Sequence, residues 1–344
     1  MDAVKGDPGR AGRGWQMKKW KNIRVSEADD WKLGMKATHY AEFGPAEVLQ
    51  LGDVPMPQPG PGQIRIALKA ASLIPADVKL RAGTIAKHFP VSLPKIPGRD
   101  GAGIVDAMGE GITDLKIGDR VCAVAQHMQP GTHAEFVVLD RDAVVPMPET
   151  LGFAEGAALM HAAVCAWICL IETAQIGKGS RVLIHGGAGA IGGMALQLAR
   201  DAGAEVMTTC RSVNRDYVTS LGADRAIAYD QEDFTEVAKD MDVVLDLIGG
   251  ETADRSWQVL KPGGHMVALI AKPFEDRSEE FGVRLSIPGI HDNAEVLKAV
   301  VAAAGAGKLV PQIAEILPLE EARSAHARLE AGHVSRGRLV FQIG

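Results

Sequence analysis

Apolar positions along the chain change rhythm twice. The first 34 residues show no period, and "MDAVKGDPGRAGRGWQ" is rich in Gly and Arg. From Met35 to about Pro148 the pattern either alternates or falls into short apolar runs. "QIRIALKAA" alternates strictly, and "GAGIVDAMG", "DRVCAVA" and "AEFVVLD" are short runs. The turn signals "PQPGPG", "KIPGRDG" and "KIGD" separate them, so this stretch predicts a small barrel or sandwich. From about Leu159 strands and helices alternate. "RVLIHG", "EVMTTC", "RAIAYD", "DVVLDLIG" and "HMVALIA" are divided by helical segments such as "MALQLARDAGA" and "NRDYVTSLGA". That order predicts a doubly wound parallel sheet. Two further helices, "NAEVLKAVVAAAGAGK" and "LEEARSAHARLEAGH", and a last strand, "GRLVFQIG", close the chain.

Composition narrows the class. Of the 344 residues 47% are apolar, enough for a sizeable core in one large or two ordinary domains. The net charge is −6 and the only basic block is the short Lys18–Lys21 patch, which argues against nucleic acid as a partner. No apolar run reaches the roughly 18 residues needed to span a membrane. The longest candidate, "GAALMHAAVCAWICLIETA", is interrupted by His161 and reads as a buried helix. Cys122, Cys165, Cys169 and Cys210 form no CxxC and fit neither a zinc cluster nor a disulfide framework. They read as core thiols of a cytoplasmic protein. Residues 1–34 lack a secretory apolar core and read as a flexible extension, or as an over-long start with Met17 or Met35 as the first residue.

The chemistry-bearing motif is Gly187-Ala-Gly189-Ala190-Ile191-Gly192, a G-x-G-x-x-G between an apolar strand and an amphipathic helix. In a dinucleotide site Gly187 allows the tight turn, Gly189 admits the pyrophosphate, and Gly192 lets helix and strand pack closely. The phosphate then meets free N–H groups at a helix N-terminus. An NAD site usually follows with an acid at the end of the second strand. Here that strand ends in Arg211 and Ser212. Arg211 pairs with a 2′-phosphate, Ser212 and Asn214 can donate to it, and Tyr229 at the third strand's end can stack on it or bond to it. The pattern therefore predicts NADP(H). A short-chain dehydrogenase is excluded, because Tyr40, Tyr217 and Tyr229 all lack a Lys four residues on. A methyltransferase would want an acid where Arg211 stands.

Residues 35–344 resemble the zinc-free quinone oxidoreductases, the zeta-crystallin-like branch of the medium-chain dehydrogenase/reductase superfamily that also holds the alcohol dehydrogenases. The stretches that carry the resemblance include "MKATHYAEFGPAEVLQLGDVPMPQPGPGQIRIALKAAS", "PGRDGAGIVDAMGEGITDLKIGDRV", "LIHGGAGAIGGMALQLA", "VLDLIGGET", "LKPGGHMVAL" and "PLEEARSAHARLEAGHVSRGRLVFQI". The resemblance implies an α/β protein with a GroES-like β-barrel catalytic domain, residues 35–158 and 291–344, and a Rossmann domain inserted over 159–290. It implies a site between them that passes hydride from NADPH to a quinone or an enal/enone. It adds Ile248, Leu269 and Arg338 to the cofactor-binding set. It also implies a homodimer joined through "VRLSIPGI".

Zinc members of the superfamily bind metal through Cys, His and Cys. The corresponding places here hold Ile74, Arg99 and His161, and the lobe of four cysteines is missing, so the resemblance implies no metal. The cleft also departs from the branch. Ile74 replaces an Asn that faces the substrate, His161 replaces a small or apolar residue, and Cys165 replaces the Thr before Ala166-Trp167. Ile74, Asp77 and Cys165 are expected to line the cleft. Arg99, Lys79 and His161 are the expected oxyanion donors, with two alternatives open: Arg99 in a structural ion pair with Asp77 or Asp100, and His161 as a satisfied core histidine. A zinc alcohol dehydrogenase, another carbonyl reductase and an NADPH-binding sensor or structural protein without turnover remain as other readings.

Overall fold

The computed structural model describes residues 34–269 and 272–344. The expected flexible extension, the alternative start at Met17 and the Lys18–Lys21 patch all lie outside the described residues.

The chain first forms a two-stranded antiparallel unit, β1 (Gly34–His39) with β2 (Gln50–Pro55). Five strands then build most of one sheet: β3 (Gln63–Leu73), β4 (Asp100–Met108), β5 (Arg120–Val124), β6 (Phe136–Asp140) and β7 (Val144–Pro146). The alternation in "QIRIALK" is real: Ile64, Ile66 and Leu68 are buried in the barrel core, whereas Gln63, Arg65 and Lys69 are not. A parallel sheet follows: β8 (Arg181–His185), β9 (Glu205–Cys210), β10 (Arg225–Ala228), β11 (Met241–Asp246), β12 (Leu260–Ala268) and β13 (Arg284–Ser286). Its order, β10-β9-β8-β11-β12-β13, places the reversal between β8 and β11, where a doubly wound sheet opens its crevice. The continuous apolar runs of β8 and β11 follow from burial on both faces.

The chain then returns to the first sheet with β14 (Ile313–Pro318) and β15 (Arg338–Gln342), giving the path β14-β15-β3-β4-β5-β7 with β6 on β3. The strand β14 is a gain over the sequence pattern. Its half-exposed edge position gives "IAEILP" no clean alternation.

Four helices position the site: α1 (Pro75–Arg81), α2 (Phe153–Trp167), α3 (Ala190–Asp201) and α4 (Arg215–Ser220). Gly152 N–H donates to the Glu155 carboxylate at 2.7 Å to start α2. A π-helical segment, Ile168–Thr173, continues it. By length and composition the continuous helix Phe153–Thr173 is long enough to cross a membrane, which corrects the expectation that no run is. Most of it is buried, and it packs between β3, β4 and β15 on one side and α3 and the helix Ala294–Gly305 on the other. The expected buried helix is therefore the core of the protein, and one apolar cluster runs from Ala102 and Val124 through α2 to Val182 and Ile184.

Candidate active site

The strand β8 ends in His185, whose ring contacts Thr209 Oγ1 at 3.1 Å and Ser256 Oγ at 2.9 Å. Thr209 also accepts from Gly186 N–H through Oγ1 and from Gly187 N–H through its carbonyl, both at 3.2 Å. These contacts set the turn into α3, and sequence reasoning missed them because His185 and Thr209 meet only across the sheet. The tight turn belongs to Gly186, at φ +81°, rather than to Gly187. Gly187 is required by a different contact, because a Cβ there would meet Thr208 Oγ1 at 2.1 Å. A Cβ on Gly192 would meet Gly186 O at 2.2 Å, so α3 packs backbone to backbone against the turn that leaves β8. Gly189 differs from both. It is exposed, has extended φ/ψ, and a Cβ on it would meet nothing closer than 3.4 Å. No protein contact requires glycine there, so its bare backbone fits a pyrophosphate laid against the turn. Ala190 and Ile191 follow, half exposed, in the first turn of α3, where N–H groups have no intrahelical partner.

Ile248 lies against this turn, 3.1 Å from a Cβ built on Gly186, and stays 37% exposed. Asp246, at the end of β11, accepts from the N–H groups of Ile248 and Gly249 at 3.0 Å and so holds that loop. Leu269 is half-buried, and its N–H donates to Asp246 O at 2.9 Å. Gly187, Gly189, Ala190, Ile191, Gly192, Ile248 and Leu269 thus come from the ends of β8, β11 and β12 and the first turn of α3.

The expected 2′-phosphate group is only partly free. Arg211 is exposed and its Nε donates to Tyr229 Oη at 3.1 Å, with the Tyr229 ring 56% exposed. Ser212 is instead engaged by Asp230, which accepts from its N–H at 2.8 Å and from its hydroxyl at 2.7 Å. Asn214 is buried, and its amide donates to Ser335 O at 3.3 Å, tying α4 to the C-terminal loop. It is a scaffold residue, because its position at the start of α4 turns it inward. Arg338 is also corrected: it points into the first sheet and donates to Asp100 at 2.5 Å and Ser72 Oγ at 3.1 Å.

In the catalytic half, Arg99 pairs with neither Asp77 nor Asp100. Its Nη2 donates to Asp292, which also accepts from the Gln126 amide at 3.2 Å. Asp100 is claimed by Arg338, and Asp77 by backbone. Asp77 is buried and accepts from Ile74 N–H at 3.0 Å and Gly98 N–H at 3.2 Å. Burial pushes its carboxyl up to about 6, against those two bonds and the positive charge of Lys95 and Arg338. It therefore fixes the start of α1 beside the Gly98–Arg99 turn, and it also lines a small cavity together with Tyr40, Lys95 and His127. Ile74 is buried too, at 1% exposure. Lys79 sits on the exposed side of α1, and no side-chain bond joins it to Arg99 or His161.

Every residue of α2 from Gly156 to Ala166 is buried except His161. Its Nε2 lies 3.5 Å from Cys165 Sγ. Burial, then Arg99, Arg338 and His127, hold its pKa well below the usual imidazole range, so the ring is neutral. The Cys165 thiol is pushed up by burial and stays protonated. The structure thus pairs His161 with Cys165, and separately Arg99 with Asp292 and Gln126; of these five the sequence named His161, Cys165 and Arg99. Among the described residues no three His, Cys, Asp or Glu side chains converge as a metal-ligand set.

Comparison with known proteins agrees with both halves. The alcohol dehydrogenase GroES-like domain matches residues 60–149 and the zinc-binding dehydrogenase family matches 221–341. An NADPH-dependent alkenal/one oxidoreductase of Arabidopsis thaliana is 32% identical over 90% of this chain and 80% of its own length. The quinone oxidoreductase of Mus musculus is 29% identical over 90% of this chain and 98% of its own. The chain belongs to the quinone oxidoreductase branch of the medium-chain dehydrogenase/reductases. The structure of the quinone oxidoreductase from Coxiella burnetii superposes with a TM-score of 0.84 at 35% identity, over 90% of this chain and all of that one. The protein is thus an oxidoreductase of a pyridine-nucleotide-dependent family.

Proposed function

We propose that this oxidoreductase passes hydride from NADPH to a quinone or an α,β-unsaturated carbonyl without a metal. The observation that carries the reading is the bare, unobstructed backbone at Gly189 after β8, with an exposed Arg211 at the end of the neighbouring strand β9. The names of the relatives, a quinone and an alkenal/one oxidoreductase, support the acceptor class. Gly189, Ala190 and Ile191 would hold the pyrophosphate, Ile248 and Leu269 would flank the dinucleotide, and Arg211 with Tyr229 would meet the 2′-phosphate. When bound, the reduced nicotinamide supplies the hydride.

The chain's own part is positioning and charge support. In the reading proposed here, His161 donates a neutral N–H to the acceptor oxygen that gains charge. Arg99, with its own charge balanced by Asp292, adds a positive potential there. Water delivers the final proton. Ile74, Arg99 and His161 offer a single metal donor among three places, which supports a zinc-independent reaction. The test is NADPH oxidation by purified protein against quinones and enals, with and without chelator. Turnover abolished by chelator and restored by zinc, or no turnover with any acceptor, sinks the reading.

Two finer points belong to the same proposal. The four described thiols are free and buried, which supports a reducing, cytoplasmic setting, checked by locating the tagged protein in its cell. The strand β13 ends the parallel sheet with Ile287 53% exposed beside it, which supports a homodimer joined at that edge. Light scattering showing a monomer at micromolar concentration removes the dimer.

A further inference from the structure

The tips of β9 and β10 carry opposite charges side by side. The register Cys210↔Ala228 continues past both strands, so Arg211 stands opposite Tyr229 and Ser212 opposite Asp230. An acid that reads a ribose in such a fold normally ends the second strand of the motif. Here it reaches over from the neighbouring strand and takes both donors of Ser212, the backbone N–H and the hydroxyl. Those are donors a phosphate lying beside Arg211 needs. We infer that Asp230 is the residue that sets nucleotide selectivity in this chain, by occupying Ser212 and repelling a 2′-phosphate so that NADH remains usable beside NADPH.

The inference rests on the reading that the adenosine ribose lies at the tip of β9 with Arg211 at its 2′ position. Three physical points carry it. The Ser212 bonds are short and charge-assisted, so the carboxylate is held in place rather than free to swing away. They also hold its pKa below the usual carboxylate range, so the charge is present at any working pH. Arg211 spends only Nε on Tyr229, so it attracts the same phosphate that Asp230 repels. The net preference is then a difference between two opposed neighbours.

The test is fluorescence titration of the full chain with NADPH and with NADH. Asp230→Ala frees Ser212, and Asp230→Asn removes the charge while keeping the shape. Both should tighten NADPH roughly tenfold, the effect of one nearby unit charge in partly hydrated surroundings, and leave NADH within about twofold. Adding Ser212→Ala to Asp230→Ala should remove part of that gain. A ratio of the two affinities that stays at the wild-type value in both Asp230 variants overturns the inference. So does an equal tightening of both nucleotides. If the wild-type protein itself binds NADH more tightly, that counts against the NADPH reading alone. The shift of the ratio on removing Asp230 then still decides the role of Asp230.

Discussion

The Arg99 guanidinium donates to the Asp292 carboxylate, joining the turn before β4 to a segment 193 residues further along the chain. Both side chains are almost sealed from water, at 5% and 2% exposure. Loss of one partner therefore strands a buried charge. Arg99→Ala should destabilise the protein by about 3–5 kcal/mol, and Arg99→Met with Asp292→Leu should restore most of that. Denaturant midpoints check it. A single variant within about 1 kcal/mol of wild type would show that water reaches the pair, because exposed pairs are worth no more than that.

A neutral His161 makes a sharper statement about rate. If its N–H supports the acceptor oxygen, His161→Ala lowers kcat by about 10²–10³, the usual effect of losing one such donor. NADPH affinity stays near wild type, and His161→Gln recovers part of the loss because its amide still donates. The ring is already neutral and does not change charge near neutral pH, so its contribution to kcat/KM should be flat in that range. A lower melting temperature with unchanged kcat per folded molecule would assign His161 to the scaffold, and a steep pH step near 6.5 would contradict its neutral state.

Local pattern carried the fold far. The β3 alternation and the G-x-G-x-x-G between strand and helix are written in neighbouring residues, and both appear where expected. What stayed hidden was partner choice. Asp100 follows Arg99 directly and Asp77 lies in the helix that precedes them, so a pair within that stretch looked natural. The fold instead brings in Asp292 and Arg338 from the far end of the chain and lets backbone N–H groups take Asp77. Arg338 and Asn214 look like surface donors by type, yet β15 and α4 turn them inward. Asp230 went unread because the acid was sought at the end of β9, whereas it reaches Ser212 from β10.

Arg211 gives the direct check on the nucleotide. Its guanidinium lies at the tip of β9 with only Nε engaged. Charge-assisted bonds are worth about 1.5–3 kcal/mol, so Arg211→Ala should weaken NADPH roughly ten- to hundredfold and NADH less than about threefold. Calorimetric titration measures both. Equal losses for the two nucleotides would remove Arg211 from the 2′ position.

Asp77 makes stability depend on pH in an uncommon direction. Its carboxyl stands at about 6 in the folded chain against 3.8 for the free side chain. Burial disfavours the charge more than the Ile74 and Gly98 N–H groups and Lys95 favour it. Between about pH 4 and 6 the folded protein therefore holds a proton that the unfolded chain has released. Stability contributed by this group is complete below pH 4 and is lost as pH rises through 6. The full span is up to about 3 kcal/mol. Most paired carboxylates act the other way, so the wild-type curve alone mixes opposing slopes. Asp77→Asn isolates the group, because the amide keeps one acceptor and never titrates. The stability of wild type relative to Asp77→Asn should fall as pH is raised from 4.5 to 7, measured by urea unfolding at each pH. A difference that stays constant, or grows with pH, would mean that Gly98, Ile74 and Lys95 hold the carboxylate ionised in the fold. Asp77 would then act as an ordinary buried anion that anchors α1.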